Sequence, residues 1–200
     1  MSKVLDEWHD EHRRFSHLLD ILGKEVATFH AGDDPDYELM RDIVQYLLHF
    51  ADRFHHPRED VAFSRLAERD PGMRMVVTRL LQEHRVIARA GAELLRRLDE
   101  IEADVVVSRA AIEASAATYL LYYRHHLGTE EAQILPRAAT LLTPEDWTAV
   151  TAAVPTGPDP LFGKQAEAGY ETLRRHIERE ARHLATRAPV RDSQVQSGSA

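Results

Sequence analysis

The chain is predicted to be all-α: an up-down four-helix bundle with additional short helices towards its C-terminal end. Three observations predict this. Apolar residues recur at spacings of three and four through four long segments. Short turns rich in Pro, Gly and Asp join those segments. Helix formers such as Ala, Leu, Arg and Glu outweigh strand formers. Long helices with short connections are antiparallel neighbours, which defines the bundle.

The first helix carries Leu5, Trp8, Phe15, Leu19, Leu22, Val26 and Phe29 on one stripe, with a vacancy at position 12. The run AGDDPD ends it, Asp34-Pro35 marking the stop. A second helix over about residues 36–69 shows Met40, Val44, Leu47, Ala51, Ala62 and Leu66, with 55 and 59 in the gap. Asp70-Pro71-Gly72 is a tight turn. The third helix carries Met73, Val77, Leu80, Ile87, Gly91, Leu94, Leu98 and Ile101, with a vacancy at 84. The fourth, over roughly 105–142, shows Ile112, Tyr119, Tyr122, Ile134 and Leu141, with vacancies at 126 and 130. Thr143 then offers an N-cap, Pro144 a first helical residue and Glu145-Asp146 early acids, so a short fifth helix starts there. Residues 155–163 form a Pro/Gly loop. A sixth helix places Tyr170, Leu173, Ile177 and Leu184 on one face, which packs on the bundle or in a homodimer. The expected organisation is a bundle over 1–142, a helical extension packed on it over 143–187, and a disordered polar tail over 188–200.

With 33 acidic and 25 basic residues the net charge is −8, so no basic surplus exists to displace phosphate counterions and no nucleic-acid partner is expected. There is no cysteine, which excludes disulfides, thiolate zinc sites and iron–sulfur clusters. The N-terminal stretch is charged from its third residue, and no segment approaches the ~20 apolar residues that span a bilayer. A soluble, cytoplasmic protein without membrane contact is expected.

The vacancies in the four stripes hold His12, His55 with Glu59, His84, and His126 with Glu130. Each stands where an apolar residue should face the interior. Burying one carboxylate without a partner costs on the order of several kcal/mol, and burying two together costs more. A metal ion satisfies all six groups at once. The order along the chain supports this: Glu11-His12-Arg13 recurs as Glu83-His84-Arg85, and His55/Glu59/Asp60 recurs as His126/Glu130/Glu131. His55 follows His12 by 43 residues, and His126 follows His84 by 42. The chain therefore reads as two hairpins, each supplying one lone histidine and one His-x-x-x-Glu pair to a dinuclear, carboxylate-bridged site.

Residues four apart share a helix face, about 40° apart, which pairs His55 with Glu59 and His126 with Glu130. Glu131 stands about 140° from His126 and reaches the site only through local distortion, which Pro57 and Gly128 provide at equivalent places. Glu130 is preferred and Glu131 is the alternate. His56 and His125 are rotated about 100° off the stripe and are expected beside the ligands or at the surface. Trp8 and Tyr122, each one turn before a ligand, either line the site and pass electrons or fill the core.

The segments EHRRF, HHPRED, EHR and HHLGTEEAQILP resemble the hemerythrin-like, HHE cation-binding family over residues 5–142. The resemblance implies a four-helix bundle with two iron ions bridged by both carboxylates and an oxo or hydroxo group. His12, His55, His84 and His126 match the family's terminal ligands, and Glu59 and Glu130 its bridging ones. Oxygen-carrying members have a further histidine one turn after the third-helix ligand, where Ala88 stands here. Two histidines per iron leave each about five-coordinate, a state suited to activating O2, peroxide or NO. The ligand set also resembles that of members that repair iron centres after nitrosative or oxidative damage. The implied function is reaction with O2, H2O2 or NO in stress or iron handling; the alternative is an iron or oxygen sensor acting through a protein partner. Zinc and manganese are also compatible with His and Glu donors.

Overall fold

The predicted helices form, and their ends follow the turn chemistry. The computed structural model describes residues 3–154 and 159–187, in two units, Met1–Asp159 and Pro160–Ala200. Helix α1 spans Lys3–Ala31 and stops at Gly32, whose φ of 91° is readily adopted only by glycine. Helix α2, Tyr37–Phe50, begins under Asp36, whose carboxylate accepts from the Leu39 amide at 2.9 Å. A π turn over Ala51–His55 leads into α3, His56–Arg69. After the Asp70-Pro71-Gly72 turn, α4 runs Arg74–Glu102. The fourth rod consists of α5 (Arg109–Thr129), a second π turn (Glu130–Ile134) and α6 (Leu135–Leu141). Helix α7, Pro144–Ala152, opens with the capping box of Thr143 and Asp146. No strand occurs among the described residues, and no helix among them is long and apolar enough to cross a membrane.

Each π turn sits immediately before a proline. The His56 amide bonds to the Ala51 carbonyl one residue before Pro57, and the Leu135 amide bonds to the Glu130 carbonyl one residue before Pro136. Proline has no N–H and its ring crowds the carbonyl four residues back, so the preceding amide takes the carbonyl five back. Distortion was expected at Pro57 and Gly128. Gly128 instead lies inside the regular α5, and the second distortion belongs to Pro136.

Two apolar layers sandwich the vacant positions. On one side Leu5, Trp8, Phe63, Leu66, Leu80 and Leu135 pack together, with Val150 of α7 in the same cluster. On the other side Phe15, Leu19, Met40, Leu47, Ile87 and Tyr119 are buried. Gly91 belongs to this second region: a Cβ there would stand 2.8 Å from the Tyr119 ring and 3.0 Å from Leu48, so α4 can approach its neighbours only without a side chain.

The second unit holds α8, Glu171–Arg187. Within it the Glu167 amide bonds the Pro160 carbonyl at 2.8 Å, and Arg174 donates to the Gly163 carbonyl at 3.0 Å. Residues 155–158 of the predicted loop, the Leu184 side chain and the tail over 188–200 lie outside the described residues.

Candidate metal centre

Between the two apolar layers the structure brings all six predicted residues together. His12 comes from α1, His55 from the end of the first π turn, Glu59 from α3, His84 from α4, His126 from α5 and Glu130 from the start of the second π turn. His55, Glu59, His126 and Glu130 are fully buried; His12 and His84 are nearly so.

The donor atoms fall into two sets that share the carboxylates. His12 Nε2 and His55 Nε2 are 3.0 Å apart, and Glu59 Oε1 lies 3.2 Å from the first and 3.0 Å from the second. Glu130 Oε2 is 3.6 Å from His12 Nε2. On the opposite side Glu59 Oε2 is 3.6 Å from His84 Nε2, and Glu130 Oε1 is 2.9 Å from His126 Nε2 and 3.8 Å from His84 Nε2. Each carboxylate thus turns one oxygen to each pair of histidines. Two donors at about 2.1 Å from one ion and at right angles stand about 3.0 Å apart, so these separations suit the edges of a coordination shell.

The hydrogen-bonding ledger of the buried atoms points the same way. Glu59 Oε2, both oxygens of Glu130, His84 Nε2 and His126 Nε2 are buried with no hydrogen-bond partner. His126 Nε2 and Glu130 Oε1 are close enough to bond but are not aligned to do so. Buried polar atoms without partners cost roughly 1–3 kcal/mol each, and more when charged. Convergence of five such atoms fits a resident cation that they would share.

The other ring nitrogen of each histidine is held by a carboxylate. His12 Nδ1 is 2.7 Å from Glu131, His55 Nδ1 is 2.5 Å from Glu11, His84 Nδ1 is 2.7 Å from Asp60 and His126 Nδ1 is 3.3 Å from Glu83. An Nδ1–H donated to a carboxylate fixes the tautomer, leaves the Nε2 lone pair available and raises the ring's basicity. Burial alone would lower the histidine pKa values. The surrounding carboxylates prevail, pushing His12 up to about 10 and His84 up to about 11. Burial likewise works to raise Glu59 and Glu130, yet the histidines beside them hold both below the usual carboxylate range.

The sequence reading missed the roles of Glu11, Glu83, Asp60 and Glu131. Their signal was the repeat itself: Glu precedes each lone histidine and an acid follows each His-x-x-x-Glu. Glu131, the alternate to Glu130, reaches His12 Nδ1 and also His9 at 2.8 Å. His56 and His125 divide between the two expected places: His56 is buried beside Glu59, His84 and His126, while His125 is half exposed. Burial first, then the neighbouring His84, hold the His56 pKa well below the ordinary value. Tyr122 is exposed, and its expected place is taken by Tyr123, fully buried with its ring 6.0 Å from His56. Trp8 is buried as expected, 6.1 Å from the His55 ring.

A cleft of about 610 Å³ opens between α1 and α5; His9, His12, His17, Leu127, Gly128 and Glu131 are among its lining residues.

Residues 3–138 match the Hemerythrin HHE cation binding domain. The chain belongs to this family of cation-binding helical bundles, and its buried His/Glu cluster lies within the matched region. No curated protein and no solved structure matches the chain.

Proposed function

We propose that this chain is a non-haem di-iron protein that binds O2, peroxide or NO and reacts with it, in oxidative or nitrosative stress or in iron handling. One observation carries the proposal: Glu59 and Glu130 each direct one oxygen to the His12/His55 pair and the other to the His84/His126 pair. Such an arrangement suits two cations better than one. Bound there, an iron pair would supply redox and Lewis-acid chemistry to a small molecule. The four histidines would hold the ions from outside and the two glutamates from between. Glu131, Glu11, Asp60 and Glu83 keep the imidazoles oriented through Nδ1. The apolar layers exclude water, which strengthens every charge interaction within the site.

The test is elemental analysis and visible spectroscopy of protein prepared aerobically under iron-replete conditions, followed by stopped-flow mixing of the reduced protein with peroxide, O2 and NO. About two irons per chain and rapid oxidation are expected. One ion or none would overturn the dinuclear site. Two irons without reaction would overturn the reactivity.

A further inference from the structure

We infer that the outward face of α5 is a contact between two copies of this chain, packed antiparallel about a two-fold axis that passes between Ala117 and Thr118. The outer faces of α1 and α4 carry charge, as a water-facing helix requires: Asp10, Arg13 and Asp20 are exposed on the first, and Arg85, Arg89 and Arg96 on the second. Helix α5 departs from this. No charged residue stands between Glu113 and Arg124, and Ala114, Ala117, Leu121 and Tyr122 are exposed within that stretch. Among the described residues the exposed large apolar side chains are Met75, Val105, Val106, Leu121 and Tyr122. All but Met75 lie on α5 or in the loop that leads into it, with Leu121 70% and Val106 99% exposed. Apolar side chains gathered in this way mark a contact surface.

The pattern along the face selects a second copy as its occupant. Its N-terminal half is small, with Ala110, Ala111 and Ala114, and its C-terminal half is large, with Leu121, Tyr122 and His125. A two-fold antiparallel pair sets the large half of each copy on the small half of the other. Leu121 then stands opposite the partner's Ala114, His125 opposite the partner's Ala110, and Tyr122 beside the partner's Ala111. A parallel pair would set large on large. Ala117 and Thr118 at the axis let the two helices approach to about 8 Å.

Charge fits the same arrangement. The net charge of −8 opposes association in general, so the contact needs local attraction. Glu113 and Arg124 supply it. Both lie on the α1 side of α5, Glu113 3.2 Å from His30 and Arg124 3.0 Å from Asp20. The antiparallel two-fold brings this flank against the same flank of the other copy, so Glu113 meets the partner's Arg124 at both ends and fixes the register. The loop with Val105 and Val106 reaches the partner's Gly128, where an added Cβ would meet nothing within 4 Å. From Ala110 to His125 the face is about 22 Å long at the α-helical rise. That falls short of the ~800 Å² per partner of a standard interface, so the dimer is weak, with a Kd in the micromolar range.

The experiment is sedimentation velocity of the full chain from about 1 to about 500 µM, where a monomer–dimer equilibrium is expected. Leu121→Glu should raise the Kd at least about 30-fold, with helicity by circular dichroism unchanged. Ala114→Glu, on the facing half, should act likewise and serves if Leu121→Glu impairs folding. Arg124→Glu should weaken association roughly 3–10-fold, and adding Glu113→Arg to it should restore association. The chain has no cysteine, so introduced ones report the register. Under diamide Thr118→Cys should cross-link to its own counterpart, whereas Ala110→Cys should cross-link only with His125→Cys. A chain that stays monomeric throughout, or a dimer that survives both Leu121→Glu and Ala114→Glu, would overturn the proposal. Self-cross-linking of Ala110→Cys would overturn the antiparallel arrangement, and a charge swap that fails to restore association would overturn the pairing of Glu113 with Arg124.

Discussion

The two hairpins carry the same ligand pattern and differ in where a proline falls. In the first, Pro57 follows His55 by two residues and the widened turn ends on His55 itself. In the second, Pro136 lies beyond Glu130 and the widened turn begins only after His126. A wider turn advances each residue through a smaller angle, so the adjacent His55 and His56 both face inwards. In the second hairpin the regular helix turns His125 outward, its side chain 51% exposed, and presents Leu127 instead. Equal spacing of ligands therefore does not give equal surroundings. The placement of one imino acid decides which neighbour of a buried histidine turns inwards.

The largest effects should come from the shared carboxylates. Glu59→Ala and Glu130→Ala each remove an oxygen from both positions, and metal content should fall from about two to below about one per chain by elemental analysis. Glu59 belongs to both groups of converging donors, so its replacement should cost more metal than that of Glu130. Equal losses would mean that the halves are more alike than the geometry indicates.

Next come the carboxylates behind the histidines. Glu11 sits 2.5 Å from His55 Nδ1 and is itself held at 3.0 Å by Arg58. Glu83 stands farther from His126 Nδ1, at 3.3 Å. Glu11→Gln should weaken metal binding by about 10–100-fold, with Glu83→Gln towards the low end of that range. Competition with a chelator measures both, and a reversed order would place the better-braced half on the other side.

Much of this was legible in the chain, and the failures have definite causes. The stripes gave the four rods, and the six polar interruptions gave the residues that converge. Thr143 and Asp146 announced α7 through local chemistry alone. Which of its two expected places His56 takes was not legible, because a reading at 100° per residue assumes an unbroken ladder, and the effect of Pro57 on the preceding turn breaks it. Tyr122 was preferred over Tyr123 because it stands four residues before His126, yet the buried face runs Tyr119, Tyr123, His126, Glu130 in steps of four, three and four. Glu11, Glu83, Asp60 and Glu131 stood in the repeat, but each holds a histidine on another helix, and for Asp60 and Glu131 that helix belongs to the other hairpin. Only helix packing fixes those pairings.

The smallest effect separates two glycines, one from each hairpin. Alanine in a helix interior gains roughly 0.8–1.0 kcal/mol over glycine from backbone propensity. At Gly23 in α1 the new methyl group would approach Arg124 Nη2 at 2.9 Å, the far end of a flexible side chain that can move aside. Gly23→Ala should therefore leave stability unchanged or raise it by up to about 1 kcal/mol. At Gly91 in α4 the methyl group would stand 2.8 Å from Tyr119, a ring that is 1% exposed and already packed at 5.5 Å against Tyr123. That ring cannot swing out, so the helices must separate. Overpacking of this kind costs about 1–3 kcal/mol, which exceeds the propensity gain over most of that range. Urea denaturation of the two variants should move the midpoints in opposite directions. A Gly91→Ala protein as stable as Gly23→Ala would show that α4 and α5 have room to part, and that the layer above the metal centre is softer than its packing implies.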